Sequence, residues 1–152
     1  TQSPAIMGKK YSLRVPGQYA RIRDVCRFVR DGAAAAGFDE DELFRLELAC
    51  DEACTNVIEH AYGGENQGEL TISYQVQGNL FEITIVDNGR AFAPEQIKKP
   101  DIPQSADEAE KLKVGGLGLH IIRQVMDSLE YTFVPGRNEL VMSKQIPGVA
   151  GR

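Results

Sequence analysis

The sequence predicts an α+β protein, a two-layer α/β sandwich in which helices cover one face of a mixed, mostly antiparallel sheet. Two patterns lead to this prediction. Apolar residues recur at helical spacing in three segments of the chain. Elsewhere, apolar and polar residues alternate in runs separated by turns that contain glycine, which is typical of antiparallel hairpins.

The first elements are a short strand and a helix. Residues 11–15 alternate as a strand, which Pro16-Gly17 ends. A helix is predicted from residue 18 to about residue 36, closed by Gly37. Its apolar residues lie on one side, whereas arginine and aspartate residues dominate the other. The arginine-rich side is either a solvated surface or a partner-binding surface.

The second predicted helix, residues 46–62, carries an orderly polar stripe. Acidic residues 39–42 stand at the start of this helix, where the helix dipole favours them and any of the first few could form the cap. Glu52 and Asn56 stand four residues apart and share one face, with Glu59 about a turn further along. The stripe is either the wet side of an amphipathic helix or part of a binding site. The neighbouring apolar face comprises Leu46, Ala49, Cys50, Ala53, Val57 and Ala61.

Two hairpins follow from the period-two alternation. The first joins residues 69–77 to residues 81–86, and its second strand stops at Asp87-Asn88-Gly89. The other occupies residues 131–146, with its turn at residues 135–138. A carboxylate and a glycine therefore stand where a buried strand ends and a loop opens.

A long loop and a third helix separate the hairpins. A short helical turn is predicted over residues 92–97, and residues 98–114 carry two prolines, many charges and few large apolar groups. Loops of that length inside a domain are usually functional or disordered. The loop ends in Gly115-Gly116-Leu117-Gly118, and a helix follows. Its apolar face is predicted from Leu119, Ile122, Val125, Met126 and Leu129.

Length and charge restrict the class of protein. The 152 residues suffice for one domain, predicted at residues 11–146, with residues 1–10 a disordered or added segment and residues 147–152 a frayed tail. The net charge of −5 argues against a general nucleic-acid surface, which needs clustered Lys and Arg. No run approaches the roughly 20 apolar residues of a membrane span, and the N-terminus lacks the apolar centre of a signal peptide. A cytoplasmic location is therefore expected, with no membrane partner.

Three cysteines, Cys26, Cys50 and Cys54, are best explained as small buried residues in a reducing compartment. Metal or redox chemistry is the alternative. No matching pair of cysteines or histidine lies at metal-binding spacing elsewhere in the chain.

Three separated features have compatible chemistry. Asn56 offers an amide oxygen, which suits Mg²⁺ together with phosphate oxygens and water. Asp87 could accept a hydrogen bond from an exocyclic amine such as that of adenine. Glycines at the start of a helix expose backbone N–H groups to phosphate. Together these features predict a nucleotide site, although the P-loop, the complete dinucleotide fingerprint and the eukaryotic kinase signatures are absent.

The segments DEACTNVIEHAY, VDNGRAF and GGLGLHIIRQVMD occur in this order. They resemble the N, G1 and G2 boxes of the GHKL ATPase superfamily, which includes gyrase, heat-shock chaperones, sensor histidine kinases and mismatch-repair ATPases. The small size and the form of the first box resemble bacterial anti-sigma factor serine/threonine kinases, the partner-switching branch. The resemblance covers residues 11–146 and implies the Bergerat-type ATP-binding fold, with residues 98–114 as the ATP lid.

The resemblance also implies residue roles. Asn56 would hold Mg²⁺, Asp87 would bind the adenine amine, and Gly89 would let the base approach. Glu52 would be the general base that takes the proton from a serine or threonine hydroxyl. Lys113, or Lys111 in its place, would reach a phosphate. The other implied cofactor-binding residues are Ala91, Gly115, Gly116, Leu117, Gly118 and Leu119, of which the glycines would wrap the phosphates of ATP.

The implied function is an ATP- and Mg²⁺-dependent kinase and anti-sigma factor. Its partners would be an anti-sigma-factor antagonist, which it phosphorylates, and a sigma factor, which it sequesters; a homodimer is also implied. Ala91 stands where the superfamily often has a second glycine, and Val114 where some of these kinases carry arginine. These two positions leave open an ATP-binding partner switch or a regulatory module without phosphotransfer. His60 is interpreted as a packing or helix-end residue, with a catalytic role as the alternative.

Overall fold

The structure, a computed structural model, describes residues 9–92 and 118–147, with only the backbone for residues 118–120. Over these residues the chain forms five strands, three α-helices and one π-helical turn. The elements are, in chain order, β1 (Lys10–Pro16), α1 (Tyr19–Ala36), α2 (Glu40–Asn56), the π-helical turn (Val57–Ala61), β2 (Glu69–Gln77), β3 (Leu80–Asp87), α3 (Gly118–Val125), β4 (Ser128–Val134) and β5 (Arg137–Gln145).

The strands form one sheet in the order β1-β2-β3-β5-β4. Every pair of neighbouring strands described is antiparallel. The central strand β3 ends with Asp87, which lies opposite Leu70 of β2 and opposite Asn138 of β5. The last turn of β3 is therefore enclosed by strands on both sides.

The helices cover one face of this sheet. α1 packs on β1, β2 and β3, α2 packs on α1, and α3 packs on α2. The covered face buries alternate residues of the strands, and the opposite face carries mainly serine, threonine, glutamine and glutamate. This arrangement confirms the predicted α+β sandwich. The largest fully buried side chains of the covered face are Leu70, Ile72, Phe81, Ile83, Ile85 and Met142.

The end of α1 and the start of α2 are as the sequence predicts. Gly37 adopts φ 117° at the end of α1, and its N–H donates to the carbonyls of Ala33 and Ala34. Asp39 caps α2, accepting a hydrogen bond from the backbone N–H of Glu42 at 2.9 Å. The acidic run therefore both caps α2 and favours its dipole.

The predicted α-helix at residues 46–62 differs at its C-terminal end. α2 stops at Asn56, and the chain continues as the π-helical turn, in which the N–H of Tyr62 donates to the carbonyl of Val57 at 3.0 Å. Gly64 then donates to the carbonyl of Ile58 at 2.9 Å. The π-helical turn thus follows directly on the predicted site residue Asn56.

The third helix is shorter than predicted. α3 ends at Val125, and Leu129 lies in β4 instead of on the helix. The physical reason is pairing with β5, because Asp127 N–H donates to the carbonyl of Ser143 and Asp127 Oδ2 accepts from the N–H of Gln145. β4 consequently begins at Ser128, three residues before the predicted start.

The second hairpin also has a tighter turn than predicted. The paired residues reach Val134 and Arg137, so Asn138 lies in β5 and not in the turn. The predicted loop at residues 98–114 lies outside the described residues, as does all but Phe92 of the predicted helical turn over residues 92–97. No described helix combines the length and the hydropathy needed to cross a bilayer.

Candidate nucleotide site

Asp87 is a buried carboxylate at the end of the central strand. Its side chain is 2% exposed. Oδ1 accepts hydrogen bonds from the backbone N–H of Gly89 and from Nδ2 of Asn138, both at 2.8 Å. Burial raises the pKa of Asp87, and these two hydrogen bonds act in the opposite direction. Because Oδ2 has no partner among the described residues, Asp87 retains an acceptor for a ligand amine.

Asn138 is a site residue that the sequence analysis missed. Besides Asp87, its Nδ2 donates to the carbonyls of Arg90, at 2.9 Å, and Gly89, at 3.3 Å. Its Oδ1 is buried and lacks a hydrogen-bond partner among the described residues. The signal for Asn138 is its register position opposite Asp87, which depends on pairing between strands far apart in sequence.

Asn56 is the last residue of α2 and is fully buried, at 0% exposure. In the described part of the chain, neither its Oδ1 nor its Nδ2 has a hydrogen-bond partner. An unpaired buried polar group costs about 1–3 kcal/mol, so an amide with both atoms unpaired needs an explanation. A ligand that approaches this face of α2 supplies one, since an amide oxygen is a suitable ligand for Mg²⁺.

Glu52 lies one helical turn before Asn56 and is half-buried. Burial raises the pKa of its carboxyl, and the negative charges of Asp51 and Glu59 raise it further. A carboxyl with a raised pKa accepts a proton more readily than an ordinary surface glutamate. The role of Glu52 as the general base stays a prediction.

The loop after β3 is packed against the π-helical turn that follows α2. A Cβ added to Gly89 would lie 2.6 Å from the carbonyl oxygen of Ala61, so only glycine allows this approach. Arg90 N–H donates to the same carbonyl at 2.9 Å, and Arg90 Nε donates to the carbonyl of His60 at 2.9 Å. These contacts join the segment of Asn56 to the segment of Asp87. The role of Gly89 toward the base stays a prediction.

Comparison with known proteins agrees with this geometry. Residues 15–144 match the family model described as "Histidine kinase-like ATPase domain". The chain belongs to this family. It is 33% identical over 144 residues to the serine-protein kinase RsbW of Listeria innocua, covering 93% of this chain and 90% of that protein. The RsbW of Oceanobacillus iheyensis is 36% identical over 120 residues, covering 78% of this chain and 75% of the relative. The predicted membership of the GHKL superfamily, in its RsbW-like branch, is confirmed.

Solved structures show the same fold. The RsbU and RsbW domains of a Mycobacterium tuberculosis protein align with a TM-score of 0.64 and 14% identity, over 91% of this chain and 32% of that one. The catalytic domain of the histidine kinase ThkA aligns with a TM-score of 0.53 and 14% identity, over 91% of this chain and 96% of that one. At such identities the likeness concerns the fold alone.

His60 packs among aromatic rings in this member of the histidine kinase-like ATPase family. Its ring lies 5.9 Å from that of Phe92, which in turn contacts Tyr131 and Phe133 edge-on. These contacts support the packing interpretation of His60. Burial raises the pKa of Tyr131 to about 12, so this phenol stays neutral at physiological pH.

The remaining predicted residues are placed only in part. Ala91 is exposed, and Gly118 and Leu119 begin α3. Lys111, Lys113 and the segment Gly115-Gly116-Leu117 lie outside the described residues, so their predicted contacts with ATP stay predictions.

The cysteines show no sign of reactivity. Cys50 and Cys54 are fully buried, and burial raises the pKa of both well above the usual value; it raises that of Cys26 to about 12. A low fraction of thiolate makes these groups poor nucleophiles. Within residues 9–92 and 118–147, no group of three His, Cys, Asp or Glu side chains is arranged to hold a metal ion.

Proposed function

We propose that this chain is an ATP- and Mg²⁺-dependent serine/threonine protein kinase and anti-sigma factor. It phosphorylates an anti-sigma-factor antagonist protein in the cytoplasm and sequesters a sigma factor. The observation that carries the proposal is the fully buried amide of Asn56, which has no hydrogen-bond partner among the described residues. It lies one turn after Glu52 and is tied through the loop of Gly89 to Asp87.

In the proposed complex, each side chain has one task. Asp87 accepts a hydrogen bond from the adenine amine, and the Oδ1 atom of Asn56 is the ligand for Mg²⁺. Mg²⁺-ATP supplies the phosphoryl group and the charge neutralisation for its transfer. Glu52 takes the proton of the attacking serine or threonine hydroxyl. The oxygen of that hydroxyl bonds to the γ-phosphorus as the bond from the γ-phosphorus to ADP breaks and ADP leaves. Such a base contributes about 10²- to 10⁴-fold in rate.

The relatives support the choice of reaction. Proteins named serine-protein kinase RsbW are about one third identical to this chain along most of its length. The raised pKa of Glu52 adds support, because it matches a base that must exchange a proton during turnover. The proposed sigma-factor and antagonist partners are taken from the resemblance to this branch of the family.

A second candidate is a partner switch that binds ATP without transferring phosphate. The exposed Ala91, where a second glycine is frequent, favours it. This candidate predicts nucleotide binding that depends on Asp87 and no phosphorylated partner.

The decisive experiment incubates the protein with labelled ATP and each candidate antagonist from its own genome. We expect phosphate on a serine or threonine of one antagonist, and a loss of about 10²- to 10⁴-fold in Glu52→Gln with ATP binding retained. Glu59→Gln, on the same stripe, is the matched control and should transfer phosphate at nearly the wild-type rate. The rate should also fall at low pH, with an apparent pKa above that of an ordinary glutamate.

The outcomes separate the candidates. ATP binding without transfer to any antagonist supports the partner switch. Undiminished phosphate transfer in Glu52→Gln would show that Glu52 is not the general base. The absence of ATP binding in the wild-type protein would contradict both candidate functions.

A further inference from the structure

Arg90 connects the two halves of the candidate site. We propose that it is a positioning residue: bound to the carbonyls of the π-helical turn, it fixes the end of α2 against the loop after β3, so that Asn56 and Asp87 engage one nucleotide together. This inference rests on the proposed ATP binding and adds a residue to which the resemblance gives no role.

Arg90 is hydrogen-bonded to two other segments of the chain. Its N–H and Nε donate to the carbonyls of Ala61 and His60, both at 2.9 Å. Its own carbonyl accepts a hydrogen bond from Nδ2 of Asn138 at 2.9 Å. One residue therefore ties the loop to the π-helical turn and to β5. The guanidinium is on an exposed residue and has no ion pair among the described residues.

The π-helical turn explains why these carbonyls are available. The last carbonyls of a helix have no partner within it. Here Tyr62 and Gly64 donate to the carbonyls of Val57 and Ile58, which leaves those of His60 and Ala61 for Arg90. A positive charge is also favoured near the C-terminal end of a helix. The arrangement thus supplies two hydrogen bonds and an electrostatic attraction at one point.

The side-chain contact of Arg90 with His60 can be removed without removing the other contacts between these segments, because the bond from Arg90 N–H to Ala61 belongs to the backbone. The hydroxyl of Tyr62 accepts from the N–H of Asn88 at 3.0 Å and donates to the carbonyl of Glu69 at 2.5 Å. Gly89 remains packed on Ala61. We therefore expect Arg90 variants to fold, with greater freedom between the end of α2 and the loop.

Two substitutions separate the hydrogen bond of Nε from the charge. Arg90→Gln places its amide nitrogen at the position in the side chain that Nε occupies, so it keeps a donor toward His60 without the charge. Arg90→Met has similar reach but no donor. Arg23→Met, on the exposed side of α1, is the control for the loss of a surface arginine.

The test measures the dissociation constants of Mg²⁺-ATP and of adenosine by calorimetry. Adenosine binding tests the contact with Asp87 alone, whereas Mg²⁺-ATP binding depends on the contacts with both Asp87 and Asn56. We expect Arg90→Met to bind Mg²⁺-ATP about five- to tenfold more weakly, the loss expected for about one hydrogen bond. Adenosine affinity should change less than about twofold, and Arg90→Gln and Arg23→Met should resemble the wild-type protein. Hydrogen exchange without nucleotide should be faster at residues 57–62 and 88–92 in Arg90→Met.

Three results would overturn the positioning role. Equal losses in Arg90→Gln and Arg90→Met mean that the charge itself contacts phosphate. Equal losses for adenosine and Mg²⁺-ATP, with a lower melting temperature, mean a general structural role, and wild-type affinity in Arg90→Met means no role. If the wild-type protein binds neither ligand, it is the proposed function that fails.

Discussion

Asn56 and Asp87 are polar side chains placed where a folded core normally holds apolar ones. Asn56 has no hydrogen-bond partner in the described part of the chain, and the pKa of Asp87 is raised by burial. Each therefore reduces the stability of the ligand-free protein. A ligand that pairs with such groups would offset this loss of stability.

Asp87→Asn tests this balance between stability and binding. The amide keeps an acceptor for Gly89 N–H and Asn138 but carries no charge. A raised pKa means that the protonated form of Asp87 is the one favoured by folding, so its ionisation near pH 7 destabilises the wild-type protein. We expect the variant to melt at a higher temperature at pH 7 and to lose about 10- to 150-fold in ATP affinity.

The pH dependence gives this prediction its sign. As the pH falls through the pKa of Asp87 in the folded protein, the wild-type carboxyl becomes neutral and no longer destabilises the fold. The difference in melting temperature between Asp87→Asn and the wild-type protein should therefore narrow. Thermal melts from pH 7 to pH 4 measure it. A gap that widens toward low pH would contradict the assignment, and Asp31→Asn, at an exposed carboxylate of α1, is the control.

For single residues, the sequence was informative where the pattern is local. Glu52 and Asn56 could be selected as candidates because their spacing on a helix is a property of neighbouring residues, and Asp87 because it ends an alternating strand; their roles stay predictions. Asn138 and Arg90 were not predictable in the same way. Their roles depend on which strand lies beside β3 and on which carbonyls the helix end leaves free, and both are consequences of tertiary packing.

The elements follow the sequence where a single periodicity governs them. The amphipathic pattern predicted the bounds of α1 to within one residue, and the alternation of apolar and polar residues predicted β2 and β3. The errors are at the ends of elements. The π-helical turn arises where the loop of Gly89 meets the helix, and α3 ends early because Asp127 pairs with β5. Apolar spacing alone cannot show such competition between a helix and a strand.

Packing between α1 and β2 depends on the absence of a side chain. Gly32 faces Tyr74, and a Cβ added there would lie 2.2 Å from Cζ of the tyrosine ring. Alanine normally stabilises a helix interior relative to glycine, by about 1 kcal/mol. Here overpacking should outweigh that gain, so Gly32→Ala is expected to lower the free energy of unfolding by about 1–3 kcal/mol.

Urea denaturation of Gly32→Ala, Tyr74→Leu and the double variant measures this effect. The smaller leucine gives the added methyl room, so Gly32→Ala should cost much less in the Tyr74→Leu background, with a coupling above about 0.5 kcal/mol. Additive effects of the two substitutions would mean that the ring of Tyr74 does not determine the need for glycine.

At the scale of the whole molecule, the strand order brings the site together. Because β5 lies between β3 and β4, Asn138 stands beside Asp87, and hydrogen bonds join the π-helical turn after α2 to the loop after β3. Neighbouring patterns in the sequence predict two hairpins, but they contain no information on which edge of the first hairpin receives the second. The three sequence boxes predicted the assembly only through their resemblance to a family with a known arrangement.

A nucleotide that contacts both α2 and β3 should stabilise the entire domain. Ligand at 100 times its dissociation constant adds about 2.7 kcal/mol to the free energy of unfolding. For a domain of this size, each kcal/mol raises the melting temperature by about 2–4 °C, so Mg²⁺-ATP should raise it by about 5–10 °C.

Chelating Mg²⁺ should remove most of the rise, and Asn56→Ala should make the remaining rise insensitive to Mg²⁺. Asn56→Asp, which keeps an oxygen ligand, should restore part of the Mg²⁺ effect. A rise in Asn56→Ala that depends on Mg²⁺ as in the wild-type protein would place the metal away from the end of α2.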